Sequence, residues 1–169
     1  MTRSFLIVVF TSLLLGACGY IAPQNHPTNY GYNNPQAGQF ASNGQQIYFT
    51  AVNQNGEYIS YTGGPGFGGM MGSYVTCASC HGTDGRGGTH TMHMQVMDAP
   101  PIYYDALIQM KQDDSGGTPQ PDGFTLSDFR GVVVEGHDTS GKQLDQNMPR
   151  WQMNDNDLAD LLAFLKTLP

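Results

Sequence analysis

The chain has 169 residues, enough for one ordinary domain. Only 12% of them are charged and the formal net charge is −7, which argues against nucleic acid as a partner, because phosphate binding needs clustered Lys and Arg. With 22 glycines and 10 prolines the chain has many turns and a modest core, and such a domain needs a staple such as a metal or a cofactor. An acidic surface of this kind either keeps the protein soluble or favours docking to basic protein patches.

Arg3 followed by the apolar run Phe5 to Leu15 reads as a signal peptide over residues 1–17, too short to span a bilayer. The run ends in Leu15-Gly16-Ala17-Cys18, which resembles the lipobox of bacterial lipoproteins. The resemblance implies cleavage before Cys18, lipidation of its sulfur and a mature chain that starts there; the competing reading is an ordinary signal peptide followed by a chance cysteine. Residues 18–39, rich in Gly, Asn, Pro, Gln and Tyr, read as a flexible tether reaching about 25 Å on average. His26 within it is incidental. These features place the protein outside the cytoplasm, lipid-anchored on the periplasmic or cell-surface side, and Gly19 after the cysteine favours the outer membrane.

Residues 40–169 form the folded domain. Phe40 to Thr50 reads as a first helix with Ile47 and Tyr48 on its apolar face; Gly44 costs about 1 kcal/mol there against Ala, which points to close packing by another helix. Residues 53–73 are turn-like, with a short strand pair around Tyr58 to Tyr61 and a breaker cluster at Gly63-Gly64-Pro65-Gly66. Gly82 to Gly88 is a Gly-rich turn, and a Met-rich loop follows over residues 89–97. Pro100-Pro101 opens a helix bearing Leu107, Ile108 and Met110. Thr125 or Ser127 caps another helix, with Phe129, Val132 and Val133 inward, that runs to Glu135 and ends at Gly136. The last helix is capped by Asn154, with Asp155 and Asp157 at its positive end, Lys166 near its negative end, and Leu158, Leu161, Leu162 and Leu165 at helical spacing. The fold class is mostly α: three to five helices with long Gly-rich loops, too small a core to stand without a large apolar cofactor.

Cys77-Ala78-Ser79-Cys80-His81 is the CxxCH pattern of c-type haem attachment. Two residues between the thiols let both sulfurs reach the two vinyl groups of one porphyrin, and the next residue brings an imidazole under the iron. Three other uses compete. A thiol–disulfide redox pair normally sits beside a βαβ pattern, and none surrounds this motif. Structural zinc wants four ligands, and there is no second cysteine pair. A disulfide this short closes almost no loop. One covalently bound haem c is the cofactor the motif calls for.

A low-spin electron carrier needs a sixth iron ligand. Met148, in the loop Asn147-Met148-Pro149-Arg150-Trp151 before the last helix, is the candidate: a neutral thioether that raises the potential, beside a proline that stiffens the backbone. Its rivals are Met70, Met71, Met92, Met94, Met97 and Met153, and as imidazole ligands His93 and His137, with His90 near them. The competing reading of a methionine near an apolar region is core filler. The Met- and His-rich loop also suits Cu(I), or lines the haem edge.

Taken in order, the helix with Gly44 and Tyr48, the motif Cys77 to His81, the turn through Arg86, the prolines at 100–101, the Met148-Pro149 loop and the last helix resemble the class I cytochromes c over residues 40–169. The resemblance implies that the first and last helices cross with Gly44 bringing Tyr48 against Leu161 and Phe164. It implies that the carbonyl of Pro100, or else of Pro101, accepts a hydrogen bond from the His81 ring nitrogen opposite the iron. It offers Trp151, Arg150 or Arg86 as donors to haem propionates, each Arg competing with a solvated surface charge. Two features depart from the family: the long stretch before the haem motif and the methionines of 89–98.

The expected function is electron transfer without catalysis on a substrate. Expected partners are redox proteins such as a membrane complex, a dehydrogenase or a terminal reductase, with the membrane engaged through the lipid. The alternatives are a haem subunit of a dehydrogenase or surface assembly, and a sensor or peroxidase with a displaceable Met148.

Overall fold

The computed structural model describes residues 39–65, 75–92 and 95–169, all within one unit spanning Pro35–Pro169. The signal peptide, Cys18 and the tether up to residue 38 lie outside the described residues, as do Met70, Met71, His93, Met94 and the side chain of Met92.

The order is α1 (Asn43–Thr50), β1 (Tyr61–Thr62), α2 (Cys77–His81), β2 (Gly88–Met92), β3 (Gln95–Ala99), α3 (Tyr104–Asp114), α4 (Leu126–Arg130), a π turn (Gly131–Glu135), β4 (Arg150–Trp151) and α5 (Asp155–Leu165). The domain is mostly helical, as the sequence indicates. Helix α1 starts later than Phe40, because the Ser42 side chain caps it by accepting from the Gln45 N–H.

Helices α1 and α5 pack directly on each other. A Cβ built on Gly44 would lie 1.9 Å from the Asp160 carbonyl oxygen, so only glycine permits the approach. Tyr48 reaches the Phe164 ring at 5.2 Å, and Ile47, Tyr48, Leu158, Leu161 and Leu165 are all buried. A polar clasp accompanies them. The Asn43 side-chain amide donates to Asp157 (2.9 Å) and Asp160 (2.8 Å), and Asn53 donates to Asp157 at 3.3 Å. The α5 cap Asn154 donates to Asp157 at 2.7 Å, so this buried carboxylate is fully engaged.

Helix α4 is capped by a reciprocal box: Thr125 accepts from the Asp128 N–H, and Asp128 accepts from the Thr125 N–H at 2.8 Å. The chain then widens into the π turn, where Gly131 O accepts from both Gly136 N–H (2.7 Å) and His137 N–H (3.0 Å), rather than continuing as an α-helix to Glu135. Gly136, at φ 80°, ends it. Phe129, Val132 and Val133 face the core.

Two local readings change, and one is extended. The short strand pair expected near Tyr58–Tyr61 is present as a local antiparallel bridge, Val52 opposite Tyr58, and the chain then runs on into β1, which pairs antiparallel with β4, Tyr61 opposite Trp151. Residues 88–92 and 95–99 are paired antiparallel strands, not a loop, with Thr89, Thr91, Val96 and Asp98 outward in alternation. The prolines stand ahead of α3 rather than in its first turn, since Ile102 N–H donates to Gly85 O at 2.7 Å and keeps the backbone there extended.

Gly44→Ala should lower the unfolding free energy by about 1–3 kcal/mol through overpacking, seen as a lower denaturant midpoint with unchanged slope; wild-type stability would contradict the packing. Asp128 tests the α3–α4 tie. Burial opposes its charge, but the Lys111 ammonium at 2.8 Å and the Thr125 bonds hold its carboxyl below the usual range. Its contribution is therefore present above the unfolded carboxylate pKa and lost as pH falls through the folded one. Asp128→Asn should cost about 1–2 kcal/mol at neutral pH, and the difference from wild type should vanish in acid.

Candidate functional site: the Cys77–His81 helix and the Met148 loop

Five residues make a helix too short to persist alone, and α2 is fixed at both ends. Thr76 Oγ1 accepts from the Ser79 N–H at 3.2 Å while Ser79 Oγ accepts from the Thr76 N–H at 3.1 Å. One of the two residues between the cysteines is thus the partner that locks the turn. Gly82 closes the helix, and Tyr48 on α1 donates its hydroxyl to Gly82 O at 2.5 Å. Burial, with the neighbouring Cys77 and Asp84 adding to it, pushes the Tyr48 hydroxyl pKa up, so it stays a donor.

Cys77 and Cys80 stand three apart on this helix, on one face, both half-buried free thiols. Burial pushes the Cys77 thiol up to about 12, the opposite of a reactive redox thiolate. His81 is buried, and its Nδ1 donates to Pro100 O at 2.8 Å. Burial lowers its pKa against the opposing effect of that bond. The ring is therefore neutral with the proton on Nδ1, and among the described residues Nε2 takes no hydrogen bond. Such a ring is ready to ligate through Nε2.

The Gly-rich turn makes this possible. Gly87 N–H donates to His81 O at 2.8 Å, and a Cβ on Gly87 would lie 2.1 Å from Ala99 O and 2.6 Å from Pro100 O. Arg86 pairs with Asp84 at 3.5 Å, donates to Pro169 O at 3.2 Å and lies over the Tyr103 ring. Sequence reasoning named His90 as part of the Met- and His-rich loop beside the haem edge, but not its place on a strand. It lies opposite Met97 on the inward face of the β2–β3 pair; Met97 is buried, and the His90 Nε2 is buried with no hydrogen-bond partner among the described residues. The alternation Thr89-His90-Thr91 carried that signal.

Met148 is half-buried and packs against the same core as Cys77. Its N–H donates to Asp145 O at 3.1 Å. Trp151 is buried against the Tyr61 ring at 4.9 Å, and Gly64 N–H donates to Gln146 O at 3.0 Å. The long segment before the haem motif thus supports the Met148 loop. Arg150 turns its guanidinium to the carbonyls of Leu144, Asp145 and Met148. Among the rivals, Met153 is core, and both His137 ring nitrogens are engaged, with Asp138 O at 3.0 Å and Glu135 at 2.9 Å.

The family model for cytochrome c matches residues 41–169. The chain belongs to the cytochrome c family. As a class I c-type cytochrome it carries covalently attached haem c and transfers electrons through it. Comparisons with curated proteins and with solved structures gave no match. The residues present fit this cofactor. A cytochrome c needs paired thiols, an imidazole with its outer nitrogen fixed, and apolar surroundings with few unmet polar groups; α2, the Pro100 carbonyl and the core beneath supply these, and the orphaned His90 Nε2 is a buried donor or acceptor beside them.

Gly87→Ala should displace the Ala99–Pro100 carbonyls, costing about 1–3 kcal/mol and lowering the haem-to-protein ratio of purified material. A wild-type ratio and stability would count against the role given to this turn.

Proposed function

We propose that this cytochrome c is a lipid-anchored electron carrier whose haem iron is held between His81 and Met148. Bound haem supplies the Fe(III)/Fe(II) couple. The sulfurs of Cys77 and Cys80 would hold it by two thioethers, His81 Nε2 would take one axial side and the Met148 sulfur the other. The observation that carries the reading is the His81 ring, tied through Nδ1 to Pro100 O at 2.8 Å directly after the two cysteines. Such a tie raises the basicity of the ligating nitrogen and fixes the ring plane. A neutral thioether on the other side favours the ferrous state. With both axial positions filled by the chain, no position is left for a substrate, so the protein is a carrier and not an enzyme.

Cys18 supplies the membrane attachment in this reading, on the periplasmic or cell-surface side, with the outer membrane favoured by Gly19. The partners are redox proteins with basic docking patches, matching a net charge of −7.

Absorption spectra of oxidised and reduced protein test the ligation. Wild type should be low-spin in both states, with the weak long-wavelength band of Met–iron ligation. Met148→Ala should lose that band and lower the midpoint potential; an unchanged spectrum removes Met148 from the iron. For the anchor, Cys18→Ser should move the protein from the membrane fraction to the soluble one, and retention in the membrane would disprove lipidation there.

A further inference from the structure

We infer that Arg150 is a positioning residue that bolts the Met148 loop shut, so that its guanidinium sets how readily Met148 gives way to another ligand; this rests on the reading of Met148 as an iron ligand. The guanidinium reaches three carbonyls of one short loop. Nη2 donates to Leu144 O at 2.9 Å, and Nη1 donates to Asp145 O at 3.4 Å and to Met148 O itself. Among the described residues Arg150 has no carboxylate partner, so its charge is directed at backbone oxygens. A planar fork with several donors suits such a set, where an ammonium would meet one or two.

The room for this brace comes from elsewhere in the chain. Gly136 ends the π turn in the left-handed region, and a Cβ built there would fall 1.7 Å from Arg150 Nε and 2.5 Å from its Cζ. Leu144 N–H also donates to Gly136 O at 2.9 Å. The base of the loop is therefore tied to the cap of the π turn by a backbone bond, and its far end by the side chain that lies across that cap. On the other side, β4 holds Arg150 in register opposite Thr62. A loop gripped at Leu144, Asp145 and Met148 has little freedom to swing its sulfur away, since that motion must break charge-assisted hydrogen bonds together.

The test is imidazole binding to the ferric holoprotein, followed by stopped flow through loss of the long-wavelength band. Met148→Ala is run first: it should lack the band and bind imidazole with no slow displacement phase. If Met148→Ala keeps the band, the ligand assignment itself fails. With that assignment standing, Arg150→Gln should speed displacement by about tenfold or more at temperatures where the protein stays folded. Arg150→Lys, with its charge kept but its fork lost, should fall between, and is the variant to read if Arg150→Gln does not fold. Gly136→Ala, which pushes the guanidinium aside, should mimic Arg150→Gln. Wild-type displacement rates in Arg150→Gln and Arg150→Lys would overturn the brace. So would a change confined to the midpoint potential, which would assign Arg150 to a haem propionate.

Discussion

Residues 77–81 form a single turn of helix, and a turn of that length has no cooperative stability of its own. Its shape comes from what grips it: the Thr76–Ser79 box at the start, the Tyr48 hydroxyl on Gly82 O at the end, and the ring of His81 on Pro100 O. The spacing of two thiols and one imidazole is therefore set by α1 on one side and by the Gly82–Pro100 segment on the other. Remove either, and the residues remain in sequence without their geometry.

The rest of the domain can be understood as support for that turn and for the Met148 loop, which packs against the same core as Cys77. Helix α5 packs on α1 through the bare backbone at Gly44, which fixes where Tyr48 stands. The Asn43–Asp157–Asn154 bonds keep the same pair in register through a buried carboxylate whose two oxygens both accept hydrogen bonds. At the other end of the chain, β1 and β4 join the long segment after α1 to the residues that follow Met148. What looks like surplus length before the haem motif is thus structural, because it supplies Tyr61 and Gly64 to the Met148 loop.

Much of this was legible in sequence, and the limits have physical causes. The helices were readable because Leu158, Leu161, Leu162 and Leu165 repeat with the helical period, and because Asn154 and Thr125 are strong cap residues. The cofactor was readable from five consecutive residues, since few chemistries use two thiols and an imidazole at that spacing. The pairing of β2 with β3 was hidden because methionine and histidine carry little strand preference, and only the intervening Thr and Val alternate. The β1–β4 pair joins two-residue strands about ninety positions apart, too short for any periodicity to register. The direction of the Arg150 side chain depended on the missing Cβ of Gly136, a relation between distant residues that no local pattern carries.

All of these supports serve a cofactor joined to the chain by carbon–sulfur bonds, and that attachment is the claim on which the others stand. The direct measurement is acid–acetone extraction of protein exported by a host able to mature c-type cytochromes. Pigment should stay with the precipitated polypeptide, because the sulfurs of Cys77 and Cys80 hold it after the iron ligands are lost. Pigment released into the acetone, or a polypeptide colourless from the outset, would contradict the account.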